Sequence, residues 1–157
     1  MLELSLPGLG TVSLRHLVCD FNGTLASDGK LIDGTAERLN RISSLLDIHV
    51  VTSDTYGSAV DELAAVECKV VRLTGKRHDR QKMEYVRRLG PESTVSIGNG
   101  SNDQGMLEVS KLSIAVMGRE GTSLSALHSS DMVVRDILDA LDLLLLPDRI
   151  RATLRTD

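Results

Sequence analysis

Leu14-Arg15-His16-Leu17-Val18-Cys19 runs directly into Asp20-Phe21-Asn22-Gly23-Thr24-Leu25. The apolar run reads as a buried β-strand, and the aspartate falls at its carboxyl end, ahead of a Gly-Thr turn. In open parallel sheets, ligands bind outside the carboxyl ends of the strands. A carboxylate placed there can attack phosphorus and become an aspartyl phosphate, and backbone N–H groups of the turn can cradle phosphate oxygens. The plainer alternative is an aspartate that only serves the Asn-Gly turn. Asn22 stands where a general acid would be expected, so its identity matters as much as that of Asp20.

The rest of the chain supplies the sheet that this strand needs. Leu2 to Leu6 alternates strictly, Pro7 to Gly10 is a turn, and Thr11 to Leu14 alternates again, which predicts a hairpin feeding the first core strand. Ala26 to Ile32, with Asp28-Gly29, is a short loop or flap, and Thr35 is placed to cap a helix running to about Leu46. Strands are expected at His49 to Ser53, Lys69 to Leu73, Thr94 to Ile97, Leu112 to Val116 and Met132 to Val134. Helices are expected at Ser58 to Val66, Asp79 to Leu89, Asn102 to Val109, Ser123 to His128 and Asp136 to Leu146, the last ended by Pro147. This alternation predicts an α/β fold: a doubly wound, mostly parallel Rossmann-like sheet with helices on both faces and an N-terminal β-hairpin. No linker, repeat or biased tract divides residues 1–157, so one domain is expected.

Composition narrows the function classes. A formal charge of −4 carries no evident sign of nucleic-acid binding. Phe21, Tyr56 and Tyr85 are the only aromatic residues, so the core is aliphatic and base stacking is not expected. Arg77, Arg80, Arg87 and Arg88 read as surface charge. Cys19 and Cys68 are not spaced as a metal or redox pair, which fits a reducing, cytoplasmic setting. No basic-then-apolar leader opens the chain, and Leu141 to Leu146 is too short to span a bilayer, so no membrane association is expected. That run reads as a core or interface helix. His16, His49, His78 and His128 lack metal-ligand spacing.

Four places combine at predicted strand ends or on the helix after them. The first is Asp20 with Asn22. The second is Thr52-Ser53-Asp54, where a hydroxyl can donate to a phosphoryl oxygen or cap a helix. The third is Lys82, which can hold a phosphate or the nucleophilic carboxylate, or be one more solvated lysine. The fourth is Gly98-Asn99-Gly100-Ser101-Asn102-Asp103, a tight turn whose aspartate can reach Mg²⁺, an ion that prefers oxygen ligands and retains waters.

In this order, from about Leu14 to Asp136, the elements resemble the haloacid dehalogenase superfamily of phosphohydrolases. Within it they are most similar to the phosphorylation domain of P-type ATPases and to small soluble proteins like that domain. Asp20, Asn22, Gly23, Thr24 and Leu25 match the ATPase signature, Thr52-Ser53-Asp54 its Thr-Gly-Asp element, Lys82 its lysine, and Gly98 to Asp103 its Gly-Asp-Gly-x-Asn-Asp loop. The resemblance implies attack by Asp20, and Mg²⁺ held by Asp20, the carbonyl of Asn22, Asn99 and Asp103. It implies phosphoryl binding by Gly23, Thr52, Ser53 and Lys82.

The chain departs from the superfamily at two positions: Asn22 replaces the acid–base aspartate, and Asn99 replaces the first acid of the metal loop. General acid–base help contributes roughly 10²–10⁴-fold, so Asn22 implies a preference for activated phosphates and a long-lived phosphoenzyme. Both asparagines precede glycine, the setting in which an amide most readily deamidates to an acid. The gaps from Asp20 to Thr52 and from Thr52 to Lys82 leave no room for a cap domain. The expected partner is a small phosphorylated substrate or a phosphoprotein, with a homo-oligomer as a way to close the site. The alternatives are a phosphate-binding regulatory module that has lost turnover, and a phospho-acceptor domain.

Overall fold

The computed structural model describes residues 1–54 and 57–156. Ten strands and seven helices follow in chain order, among the described residues. They begin with β1 (Leu2–Leu6), β2 (Gly10–Leu14), β3 (His16–Cys19), β4 (Ala26–Ser27), β5 (Lys30–Leu31), α1 (Thr35–Ile42), β6 (Asp47–Thr52), α2 (Ser58–Glu62) and β7 (Lys69–Arg72). Then come α3 (His78–Leu89), β8 (Thr94–Gly98), α4 (Gln104–Val109), β9 (Leu112–Val116), α5 (Leu124–His128), β10 (Met132–Val134), α6 (Ile137–Leu145) and α7 (Asp148–Leu154). Six strands form one sheet in the order β10-β9-β8-β3-β6-β7, and every pairing in it is parallel.

β3, the strand that leads into Asp20, lies between β6 and β8, in register Cys19 to Val50 on one side and Cys19 to Ile97 on the other. Successive side chains of a strand point to opposite faces. Leu17 and Cys19 therefore pack into the larger apolar cluster, with Leu39 and Ile42 of α1 and Ile137 and Leu141 of α6. Val18 enters the other cluster, with Val86 of α3, Met106 and Leu107 of α4 and Ala126 of α5. Burial on both faces explains why the central strands read as near-continuous apolar runs.

The N-terminal hairpin forms in the register Leu2 to Leu14, closing its own two-stranded sheet and burying Leu2, Leu4 and Leu6. The Asp28-Gly29 turn, with φ values of 52° and 77°, closes the small β4–β5 flap. Both signs match the type I′ turn that suits a two-residue hairpin. The flap is anchored on two sides: Glu62 accepts from the Leu31 amide at 2.8 Å and Glu120 from the Asp28 amide at 3.3 Å. The leucine-rich segment is a core helix, burying Ile137, Ala140, Leu141 and Leu144 and tied to α1 by the Arg38–Asp142 ion pair at 2.7 Å.

Several boundaries differ from the expectation. Thr35 is not the cap of α1; Gly34 is, and Thr35 is buried in the first turn. That helix ends at Ile42, because the hydroxyls of Ser43 and Ser44 bond back to the carbonyls of Asn40 and Arg41. The helix expected from Ser58 to Val66 spans only Ser58–Glu62. Pro147 does more than end α6. It occupies the N-cap of α7, where a fixed φ and a missing N–H are no handicap, and α7 closes under the hairpin through Arg151 donating to the Ser5 carbonyl at 2.9 Å.

Candidate active site

Parallel strands bring their carboxyl ends to one edge, where Asp20, Thr52 and Gly98 meet. Lys82 comes from α3. It is the only charged residue of that helix to be buried: its side chain is 0% exposed, and Nζ donates to Asp20 Oδ1 at 2.6 Å and to Asp103 Oδ1 at 2.7 Å. Lys82 thus ties the nucleophile candidate to the loop after β8. The two carboxylates stand close enough to share one ammonium ion.

Asp103 organises that loop. Its Oδ2 accepts from the amides of Asn99 at 3.0 Å and Gly100 at 2.9 Å. Gly98 is required beside it, since a Cβ there would lie 2.7 Å from Asp103. Asn99 is presented in one orientation: Nδ2 donates to the Gly121 carbonyl at 3.0 Å, and Oδ1 accepts from the Thr24 hydroxyl at 3.0 Å. The same hydroxyl lies 3.3 Å from Asp20 Oδ2. One proton cannot serve both, so two oxygens, one charged and one neutral, converge around Thr24.

Gly23 carries a φ of +81°, and a Cβ on it would come within 2.5 Å of Asn99 Nδ2. Its N–H donates to the Ala26 carbonyl at 2.8 Å, and that of Thr24 to the Phe21 carbonyl at 3.2 Å. The cradle expected from Gly23 is therefore corrected: its amide is spent inside the turn, and its contribution is the space it leaves for Asn99. Asn22 is exposed, and among the described residues neither its side chain nor its carbonyl takes a hydrogen bond. The amide following each asparagine is engaged, Gly23 with Ala26 and Gly100 with Asp103. This opposes the ring closure that deamidation requires.

Thr52 is buried at the end of β6, and its hydroxyl accepts from the Asp54 amide at 3.0 Å, which leaves the hydroxyl proton to be donated elsewhere. Ser53 follows, half-buried. Asp54 holds the start of α2 by accepting from the Ala59 amide at 2.8 Å. The structure therefore gathers Asp20, Lys82, Asn99 and Asp103 into one bonded cluster, with Thr52 at the neighbouring strand end; Ser53 and Asn22 make no bond to it among the described residues. Thr24 and Gly121 complete the cluster. Thr24 stood inside the quoted motif without an assigned part, whereas nothing in the sequence marks Gly121.

Burial raises the Asp20 carboxyl to about 6, Asp103 adds to the rise, and Lys82 opposes it. Burial pulls Lys82 down, but the two carboxylates outweigh it and hold the ammonium above its ordinary range. Lys82 is thus a fixed charge beside Asp20, whose carboxyl is held above the usual carboxylate range. Cys19 is no rival nucleophile, since burial and then Asp20 push its thiol well up. His49 lies in β6, bonded through Nδ1 to the Tyr85 hydroxyl at 2.8 Å and lowered first by burial and then by His16. It takes no part in this cluster.

No protein-family model matches the chain. The cobalt-bound deoxy-D-mannose-octulosonate 8-phosphate phosphatase of Haemophilus influenzae superposes with a TM-score of 0.70 at 14% identity, covering 92% of this chain and 94% of its own. The Moraxella catarrhalis 3-deoxy-D-manno-octulosonate 8-phosphate phosphatase, in complex with magnesium, phosphate and KDO, gives 0.66 at 15%, over 90% and 94%. A phospho-aspartyl intermediate analogue of phosphoserine phosphatase gives 0.66 at 14%, over 84% and 99%. The fold is that of the haloacid dehalogenase superfamily. In sequence, the chain is 45% identical over 74 residues to the uncharacterized protein MJ0073 of Methanocaldococcus jannaschii, across 46% of this chain and 80% of that protein. It is 38% identical over 39 residues to MJ0072 of the same organism, across 25% and 89%. The chain belongs to the same family as MJ0073. Among the described residues, no helix is long and apolar enough to cross a membrane.

Proposed function

We propose that the protein is a magnesium-dependent phosphohydrolase that works through an aspartyl phosphate on Asp20. The observation that supports this most directly is the buried Lys82 bridging Asp20 and Asp103 at the carboxyl end of β3. An ammonium ion in that place holds the carboxylate in position and offsets the charge of an arriving phosphoryl group. Phosphoryl transfer needs mostly positioning and charge stabilisation.

The donor set fits a hard divalent cation. Asp20 Oδ2, Asn99 Oδ1 and the carbonyl of Asn22 are oxygens, the first two converging on Thr24. Among the described residues, no cluster of three or more histidine, cysteine or acidic side chains competes as a metal site. Magnesium is bound through one or two carboxylates and keeps several waters. Bound there, it would neutralise charge on the phosphoryl oxygens. Both oxygens of Asp103 are engaged by Lys82 and by loop amides, so we assign Asp103 to positioning the loop rather than to direct ligation.

In the first step an Asp20 oxygen forms a bond to phosphorus while the bond to the leaving group breaks, its electron pair departing with that group. Thr52 donates its free hydroxyl proton, and Lys82 its ammonium protons, to the non-bridging oxygens. In the second step water attacks the aspartyl phosphate, releasing inorganic phosphate and the Asp20 carboxylate. Asn22 protonates no leaving group and deprotonates no water. Substrates whose leaving groups depart without a proton are therefore favoured: acyl phosphates, phosphoanhydrides and aryl phosphates.

The test is incubation with acetyl phosphate or p-nitrophenyl phosphate and Mg²⁺, with Asp20→Asn as control. Steady release of phosphate that Asp20→Asn abolishes supports the enzyme. Stoichiometric labelling without release makes it a phospho-acceptor, and neither outcome leaves only a phosphate-binding module. Asn22→Asp should raise turnover of a sugar phosphate at least tenfold. No gain would refute the part given to Asn22.

A further inference from the structure

Cations are concentrated in one segment of this acidic chain. Eight of its 18 lysines and arginines, and two of its 22 acids, fall between Lys69 and Arg88, leaving ten cations to twenty acids elsewhere. That segment is edge strand β7, the turn after it, and α3. Lys82 is consumed by Asp20 and Asp103, and Arg77 and Arg87 pair with Asp79 and Glu84. Arg72 and Lys76 are exposed, and among the described residues neither makes an ion pair.

Strand register puts Arg72 beside the mouth of the site, and Lys76 follows four residues on, past the same end of the strand. Thr52 pairs with Arg72 across β6 and β7, and β6 in turn adjoins the strand that leads into Asp20. Neighbouring strands are about 4.8 Å apart, so the Arg72 backbone stands roughly 10 Å from that of Asp20. Its guanidinium reaches back past the end of β6, Nη2 donating to the Asp54 carbonyl at 3.5 Å. Lys76 sits in the turn that follows β7. Gln81 donates to the carbonyls of Thr74 at 2.7 Å and Lys76 at 2.9 Å, which pins this turn to the first turns of α3. Arg77 is held there in a left-handed conformation, φ 61°, that costs a residue with a side chain energy.

Resting on the function proposed above, the geometry points to a linear phosphoanhydride as the substrate class. Its terminal phosphoryl group lies at Asp20, and the phosphates behind it lie along Arg72 and Lys76. Two independent features converge on this. The leaving group must depart without a proton, because position 22 is an amide. Negative charge on that leaving group is also complemented toward β7, where among the described residues Arg72 and Lys76 make no ion pair. Acyl and aryl phosphates meet the first requirement only. A guanidinium and an ammonium suit phosphate oxygens, the former in bidentate fashion. The reaction is attack of the Asp20 carboxylate on the terminal phosphorus, breaking the anhydride P–O bond and releasing the shortened polyphosphate anion with the bonding pair. Water then cleaves the aspartyl phosphate.

Inorganic tripolyphosphate and acetyl phosphate are the probes, in excess Mg²⁺. The wild-type kcat/KM for tripolyphosphate should exceed that for acetyl phosphate at least tenfold. In the Arg72→Gln/Lys76→Gln protein that ratio should collapse to within about twofold of one. Equal values in the wild type, or a ratio that survives the double substitution, overturns the subsite and leaves the hydrolase intact. Binding to Asp20→Asn protein, measured by calorimetry, separates the two ideas. Tripolyphosphate should bind at least tenfold tighter than orthophosphate there, and the double substitution should erase the difference. That preference without turnover of either probe in the wild type would refute the hydrolase but uphold the subsite, whereas equal affinities would refute the subsite.

Discussion

Replacing Lys82 by methionine removes the one cation between Asp20 and Asp103 while keeping the length of the side chain. The lysine is fully buried and bonded to both carboxylates at 2.6 and 2.7 Å. Taking one partner from a buried ion pair costs about 3–5 kcal/mol, because the remaining charge is stranded without compensation. Two like charges are stranded here, so the upper part of that range is expected once both are ionised. At about 2–4 °C per kcal/mol for a chain of this size, the melting temperature should fall by roughly 10 °C or more. The loss should depend on pH. Asp20 has its folded pKa raised to about 6, above its unfolded value near 4. The stability linked to its protonated form is fully present below the unfolded pKa and is lost as pH rises through the folded one. Without Lys82 the folded value climbs further. Lys82→Met should therefore be destabilised most at pH 8 and much less at pH 5, where Asp20 takes up a proton. The assay is urea unfolding at both pH values with EDTA present. Lys82→Met/Asp20→Asn, which removes the like charge, should lose most of the pH dependence. A penalty under about 1 kcal/mol at pH 8, or equal penalties at pH 5 and 8, would refute the reasoning.

Gly23→Ala should lower stability by about 1–2 kcal/mol through its left-handed backbone, and weaken Mg²⁺ binding by pushing Asn99 aside; denaturant melts and a metal titration check both, and wild-type affinity would contradict it. Asn99→Asp should destabilise the metal-free protein by about 1–3 kcal/mol, since a buried carboxylate replaces the amide donor to the Gly121 carbonyl. Added Mg²⁺ should then raise its melting temperature more than that of the wild type, and a smaller rise would count against Asn99 as a ligand. With Asp20 raised to about 6, kcat/KM for acetyl phosphate should climb with pH up to that region and level off above it, because only the ionised carboxylate attacks; saturating Mg²⁺ should move the midpoint lower. A flat profile between pH 5 and 7 would rule out Asp20 as the titrating nucleophile.

The parts of the fold that were legible rest on local periodicity. Leu17 to Cys19 and Val50 to Val51 read as central strands because both faces of the sheet are covered. Leu2 to Leu6 read as half a hairpin because only one face is. Helix ends were harder. Ser43 and Ser44 end α1 through hydroxyl bonds to their own preceding turn, and a serine pair carries no unique sign of that. α7 is not legible in the sequence because Pro147 reads as a stop, although the same proline also starts a helix. Within the site, Asp20 and Lys82 were legible as residue types at the right places. The amide of Gly23 was not, since only the closed turn shows it donating to Ala26. The cations between Lys69 and Arg88 are legible as surface charge, but the place of Arg72 beside Thr52 is not, since only the register shows it.

By itself, the order of residues determined that an aspartate would end a buried strand, that amides would replace two acids, and that the strands would run parallel between helices, because patterning and turn chemistry act over a few residues. Only the tertiary structure decided that Lys82 bridges two carboxylates 62 and 21 residues away, and that Asn99 is oriented by Gly121. Those contacts join strand ends that are distant in the chain and close only once the sheet has assembled.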